Sequence, residues 1–207
     1  MDRVLYRRMY IELAEFLCCP RDSGESYCVV ASDETVGRQI LRGTIGCPAT
    51  KREYTIRDGV ADFTSACPHV PLPPPPTPPT ADPRAIQALI DISGPGGYLV
   101  LVGSAASLSA GLAGLMGGVH LVCLNPTEIT QPSPDISVVR GPHPLPLRSG
   151  MARGVVVGSE YATEPWLGEC GRILLKGLRV VVLRGDARIP GVDPLASGDG
   201  LWVGQKA

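Results

Sequence analysis

The sequence lacks a surplus of either charge. Its formal net charge is −1, and basic and acidic residues balance before and after residue 70. No basic field is available, which argues against nucleic-acid binding by charge. No apolar run is long enough to span a bilayer. Met1 to Tyr10 has neither the apolar core nor the cleavage site of a signal peptide, so a cytoplasmic location is expected. There is no Gly-Lys-Ser/Thr phosphate loop. The only histidines are His69, His120 and His143, and their spacing indicates no Ser-His-acid or Cys-His pairing. No two of the seven cysteines stand as Cys-x2-Cys. An odd cysteine count without an export signal argues for reduced thiols rather than a disulfide framework.

Proline (21) and glycine (25) are plentiful instead. Residues 71–83, Pro-Leu-Pro-Pro-Pro-Pro-Thr-Pro-Pro-Thr-Ala-Asp-Pro, read as a stiff polyproline spacer between two domains, 1–70 and 84–207. Before it, Leu5, Met9, Leu13, Phe16 and Leu17 recur at helical spacing and predict an amphipathic helix over 4–17. Arg3, Arg7 and Arg8 near its start read as a solvated face with the core stripe behind it; the alternatives are an acidic partner or an anionic lipid surface, placing the chain peripheral to a membrane complex. Strand-like runs follow at 26–31 and 39–45.

After the spacer, Asp82-Pro83 predicts a helix start, with Ala85, Ile86, Leu89 and Ile90 as its buried stripe and Gly94-Pro95 as its end. Strands are expected at 98–102, 119–124, 136–139, 154–157, 179–184 and 201–204, and helices at 106–116 and about 165–175. Strand, tight turn, small-residue helix and strand in Gly97–Pro126 predict the opening of a nucleotide-binding α/β fold. Residues 186–200, rich in Gly, Pro and Asp, read as an irregular end to it.

Two stretches carry family resemblances. Cys19-Pro20, Cys47-Pro48 and Tyr54-Thr55-Ile56-Arg57-Asp58-Gly59-Val60 resemble the short zinc-ribbon family that includes the activator subunit of tRNA methyltransferases. The resemblance covers about residues 10–64. It implies a zinc held by two Cys-x2-Cys knuckles, but the second member of each pair is here Asp22 or Thr50. The candidate ligands are Cys19, Asp22 and Cys47. Cys18, Cys28, Cys67 and His69 are nearby substitutes, and the bland alternative is a ribbon with buried Cys19 and Cys47.

Residues 84–185 resemble class I S-adenosylmethionine-dependent methyltransferases, through the glycine turn after the first strand, Leu145-Pro146-Leu147, and Arg172-Ile173-Leu174-Leu175-Lys176-Gly177. The family's acidic-x-Gly-x-Gly-x-Gly pattern falls on Leu101, Gly103, Ala105 and Ser107, so one glycine survives and the acid is gone. Asn125 stands near the ribose-binding acid's place, behind Cys123, and Pro142 stands where an adenine-side acid is usual. Lost charge-assisted hydrogen bonds are worth about 1.5–3 kcal/mol each. The vestigial cofactor residues are therefore Gly103, Ala105, Ser107 and Asn125, with Glu160 and Tyr161 as the best substrate-side groups.

The expected fold is α/β, a small zinc-ribbon-like β domain plus a truncated Rossmann-like domain with a mostly parallel sheet. The expected function is a non-catalytic, pseudo-methyltransferase subunit that binds protein partners, with no catalytic residue, no nucleic acid and no resident cofactor. The alternatives are an active S-adenosylmethionine-dependent methyltransferase and an activator of a separate methyltransferase through the ribbon.

Overall fold

The computed structural model describes residues 9–22, 25–64, 81–127 and 133–207. Its centre is five apolar segments: β6 (Tyr98–Val102), β7 (His120–Leu124), β8 (Ile136–Arg140), β9 (Ala152–Val157) and β10 (Leu174–Val182). They pair in parallel in the order β8-β7-β6-β9-β10. Counting from β6, that is 3-2-1-4-5, the doubly wound order in which a ligand crevice opens beside the first strand. β6 and β7 are buried at every position because both faces are covered. Alternate residues serve opposite cores: Tyr98, Val100 and Val102 on one side, Leu99 and Leu101 on the other.

The second core is closed by α1 (Pro83–Ile90) and α2 (Ser109–Leu115). Asp82 caps α1 by accepting the Arg84 amide at 3.1 Å, and Pro83 occupies its first turn, as the sequence predicts. Ile86 and Ile90 are buried and Leu89 packs against them, but Ala85 is exposed. The helix ends earlier than Gly94, at Asp91 in left-handed conformation. A Cβ on Gly111 would come within 2.7 Å of Pro83, so α2 approaches α1 closely only because that residue is glycine. The helix expected at 106–116 begins as a 3-10 turn over Gly103–Leu108.

The first core lies on the other face, and the N-terminal strands help close it. They are β1 (Met9–Tyr10), β2 (Val29–Val36), β3 (Gln39–Gly46), β4 (Glu53–Arg57) and β5 (Val60–Asp62), a small antiparallel unit. The predicted helix at 4–17 is overturned where the structure describes it. Met9–Tyr10 pairs with Gln39 and Ile40 as a strand, and Ile11–Phe16 is a 3-10 helix. Met9, Leu13 and Leu17 are nonetheless fully buried. The expected burial period survives on a different backbone, because Tyr10 donates its amide to Ser137 and stacks on His120. Leu5, Arg3, Arg7 and Arg8 lie outside the described residues, as do 71–80 of the proline-rich stretch.

The two parts share one sheet. β5 pairs in parallel with β8 (Val60↔Val138, Ala61↔Val139, Asp62↔Arg140), and the Phe63 amide extends the ladder to the Arg140 carbonyl at 2.8 Å. At the opposite end, α3 (Trp166–Ile173) leads into β10. A hairpin of β11 (Val192–Gly198) and β12 (Leu201–Lys206) then continues the sheet, β12 antiparallel to β10. This corrects the irregular ending expected for 186–200. The turn Asp199-Gly200 has φ of 51° and 74°, the backbone that an Asp-Gly hairpin favours.

Candidate functional site

The crevice beside β6 is where a nucleotide-type cofactor would enter such a fold. Gly103 begins the turn at φ +63°, a conformation glycine adopts without strain. A Cβ there would collide with the Glu160 carboxylate and the Tyr161 ring. Glu160 follows β9 on a short 3-10 turn, Ser159–Tyr161, and reaches back over the β6 turn. Its Oε1 accepts the Ser104 amide at 2.6 Å, and its Oε2 accepts the Ser104 hydroxyl at 2.8 Å. Gly158 also lacks room for a Cβ, which would stand 2.5 Å from Ser104 Oγ and 2.6 Å from Glu160 Oε2. The turn's first amide donor is therefore satisfied from within the chain.

Asn125 is buried at the end of β7 with φ 48°. Its amide donates to the Gly141 carbonyl at 2.8 Å, and its carbonyl accepts the Gly141 amide at 2.9 Å. It also meets the Tyr161 hydroxyl, whose acidity falls through burial and the neighbouring Glu160 charge, offset in part by the Asn125 bond. Gly103, Asn125, Glu160 and Tyr161 thus come together. Ala105 and Ser107 do not join them: Ala105 is buried in the second core, and exposed Ser107 donates to the Ser104 carbonyl at 2.8 Å. Pro142 is buried in the loop after β8. His143 is half-buried with its ring edge-on to Trp166 at 5.9 Å. The Ser104 donors of the β6 turn and the Asn125 amide at the end of β7 face protein groups, and among the described residues no carboxylate follows β7 up to Thr127.

The structure also brings together a pair the sequence did not indicate. His120 Nε2 and Ser137 Oγ are 2.8 Å apart, both buried, under the Tyr10 ring. Burial pushes the imidazole down to about 4. This neutral pair fastens β1 to β7 and β8.

In the N-terminal unit, Cys19 Sγ lies 3.1 Å from the Tyr54 hydroxyl and 3.4 Å from Thr50 Oγ1. Cys47 Sγ accepts the Thr50 amide at 3.4 Å. Burial pushes the Cys47 thiol up, but bonds from Thr50, Cys19 and Ala49 outweigh it and leave it below the ordinary thiol range. Cys18, Cys28, Cys123 and Cys170 are each pushed up to about 12 by burial. The Asp22 carboxylate accepts the Ser26 amide at 3.1 Å, in a local turn. Among the described residues, no three His, Cys, Asp or Glu side chains gather where they could hold a metal. The Cys19 and Cys47 thiols stand beside neutral hydroxyls, with Cys28 in electrostatic reach of both. Cys67 and His69 lie outside the described residues.

Arg172 of α3 ties the N-terminal unit to the larger one. It bonds Glu169 through Nε (2.9 Å) and Nη2 (2.7 Å), Glu25 through Nη1 (2.5 Å), and the Leu145 carbonyl (3.1 Å). Glu25 also accepts the Ser149 amide and hydroxyl, at 3.1 and 2.6 Å. Burial raises the Glu25 carboxyl, but Ser149 and Arg172 outweigh it and hold it below the usual range.

Residues 11–59 match the family model described as Trm112p-like protein. Among solved structures, the chain is similar to the complex between the Haloferax volcanii Trm112 methyltransferase activator and a methyltransferase. That match has 19% identity and a TM-score of 0.42, and covers 48% of this chain and 49% of that one. It is also similar to geranyl diphosphate methyltransferase solved with GPP and sinefungin (11% identity, 60% and 78% coverage, TM-score 0.47). A third likeness is to a methyltransferase of an antibiotic biosynthesis pathway from Anabaena variabilis (18% identity, 50% and 44% coverage, TM-score 0.40). The chain spans about half the length of the first of these. No curated protein matches it. Among the described residues, no helix is long and apolar enough to cross a membrane. The chain joins a Trm112p-like segment, residues 11–59, to a doubly wound α/β sheet.

Proposed function

We propose that this protein is a non-catalytic subunit of a protein assembly, a methyltransferase-like domain fused to an activator-like unit. The observation that carries the reading is the Glu160 carboxylate on the Ser104 amide and hydroxyl. A cofactor would have to displace that charge-assisted pair, move the Tyr161 ring and break the Asn125–Gly141 bonds. Among the described residues, none at the end of β7 would repay this with a carboxylate for the ribose. The reduced, buried thiols suit a cytoplasmic place.

The chain is less suited to activating a separate methyltransferase, because the outer edge of β5 is already paired with its own β8. The activator-like unit serves the domain in cis, and the partners are proteins that read the combined surface. Titration calorimetry with S-adenosylmethionine tests this. The wild-type chain is expected to give no binding heat, and a micromolar affinity lost in Gly103→Arg would promote the enzyme reading instead.

A further inference from the structure

The two ends of the sheet are protected unequally. At one end, β11 carries Asp193 and Pro194, which hinder strand addition. At the other end, the later part of β2 is guarded by Asp33, Glu34 and register irregularities. Its entry is not: Tyr27 is 59% exposed and Val29 61%. Beside them opens a groove of about 430 Å3 lined by Ala14, Glu15, Phe16, Tyr27, Cys28 and Arg148. The Arg148 guanidinium lies 3.9 Å from the Tyr27 ring centroid, with its Nε buried and without a hydrogen-bond partner. Among the described residues, neither Arg148 nor Glu15 has an ion-pair partner. Among the described residues, the groove therefore holds one charge of each sign without an ion-pair partner, beside exposed apolar side chains. A surface of that kind is complementary to itself across a twofold axis, where each charge meets its opposite on the other copy.

We propose that this face joins two copies of the chain, with Arg148 of each copy paired to Glu15 of the other and Tyr27 and Val29 packed between them. A closed twofold contact uses each groove once and leaves none open for further addition. It also doubles the effect of any substitution, because each change appears on both sides.

Sedimentation velocity on the full chain, over a concentration series, tests the assignment. The wild type is expected to run at the mass of two chains. Arg148→Glu alone, or Glu15→Arg alone, places two like-charge contacts in the interface and is expected to weaken dimerisation by at least about tenfold. The double variant, Arg148→Glu with Glu15→Arg, is expected to restore it. Leu195→Glu, on the exposed face of β11, is expected to leave the dimer intact. Val29→Glu gives a second route to dissociation if a groove variant folds poorly, as judged by circular dichroism. A wild-type monomer at every concentration would overturn the proposal, as would a dimer indifferent to both charge reversals or a folded double variant that stays dissociated. A heterologous partner on the same face would show itself as that wild-type monomer. None of these results bears on cofactor binding, which takes place at the β6 turn.

Discussion

Glu160 and Ser104 are 56 residues apart in sequence, yet the carboxylate of one takes both donors of the other, at 2.6 and 2.8 Å. The pair joins the turn after β6 to the turn after β9. Ser104 is buried, so its amide has no easy substitute partner. Glu160→Ala should cost about 1–3 kcal/mol, the usual penalty for leaving such a donor unmade. Glu160→Gln keeps an acceptor and should cost less. Gly103→Ala should exceed both, since it combines φ +63° with a collision. Urea unfolding of the three variants checks the order; an unchanged midpoint in Glu160→Ala would show the contact to be idle.

His120 makes stability depend on acidity. Burial holds its folded value at about 4, below the ordinary 6.5. Between those values the unfolded chain binds a proton that the folded chain refuses. Stability is therefore complete above about pH 6.5 and falls as pH drops toward 4. The shift corresponds to about 3 kcal/mol at most. Other acidic groups also change charge as pH falls, so the informative quantity is a difference. The pH profile of His120→Gln, subtracted from that of the wild type, should rise through this window. Parallel profiles would refute the assignment.

Arg172 should be the costliest side chain to remove between the two units. Glu169 is only 12% exposed and Glu25 30%, so truncating the arginine strands two carboxylates and frees the Leu145 carbonyl. Arg172→Met should destabilise by about 3–5 kcal/mol. Arg172→Lys should recover little, because a single ammonium cannot reproduce the fork onto Glu169. Thermal unfolding and limited proteolysis together check this. The arginine would be incidental if the melting temperature stayed put and the cleavage pattern were unchanged.

Much of the parallel sheet was readable from the chain. β6 falls on the predicted residues, since a five-residue apolar run between Gly97 and Gly103 leaves little choice. β11 was missed because Asp193, Pro194 and near-complete exposure hide a strand that lies at an edge. The Asp199-Gly200 pair was the signal that could have found it. At the N-terminus, Met9, Leu13 and Leu17 fit a helical stripe, yet the pairing of β1 with β3 decided the backbone, and that pairing is a tertiary contact. At the site, the departures from the resembled pattern at Leu101, Ala105 and Ser107 were visible residue by residue. The replacement was not: Glu160 reaches the β6 turn only after the sheet has brought the ends of β6 and β9 together.

The β5–β8 ladder has a further meaning when viewed as a binding equilibrium. Two separate proteins joined this way would associate according to their abundance, and one activator could be shared among several enzymes. Within one polypeptide, dilution cannot separate the strands and no competitor can capture the free unit at equilibrium without first breaking the ladder. Stoichiometry is one to one in every molecule from synthesis onward. The supply of the N-terminal unit can then no longer serve as a control variable for the domain it is joined to.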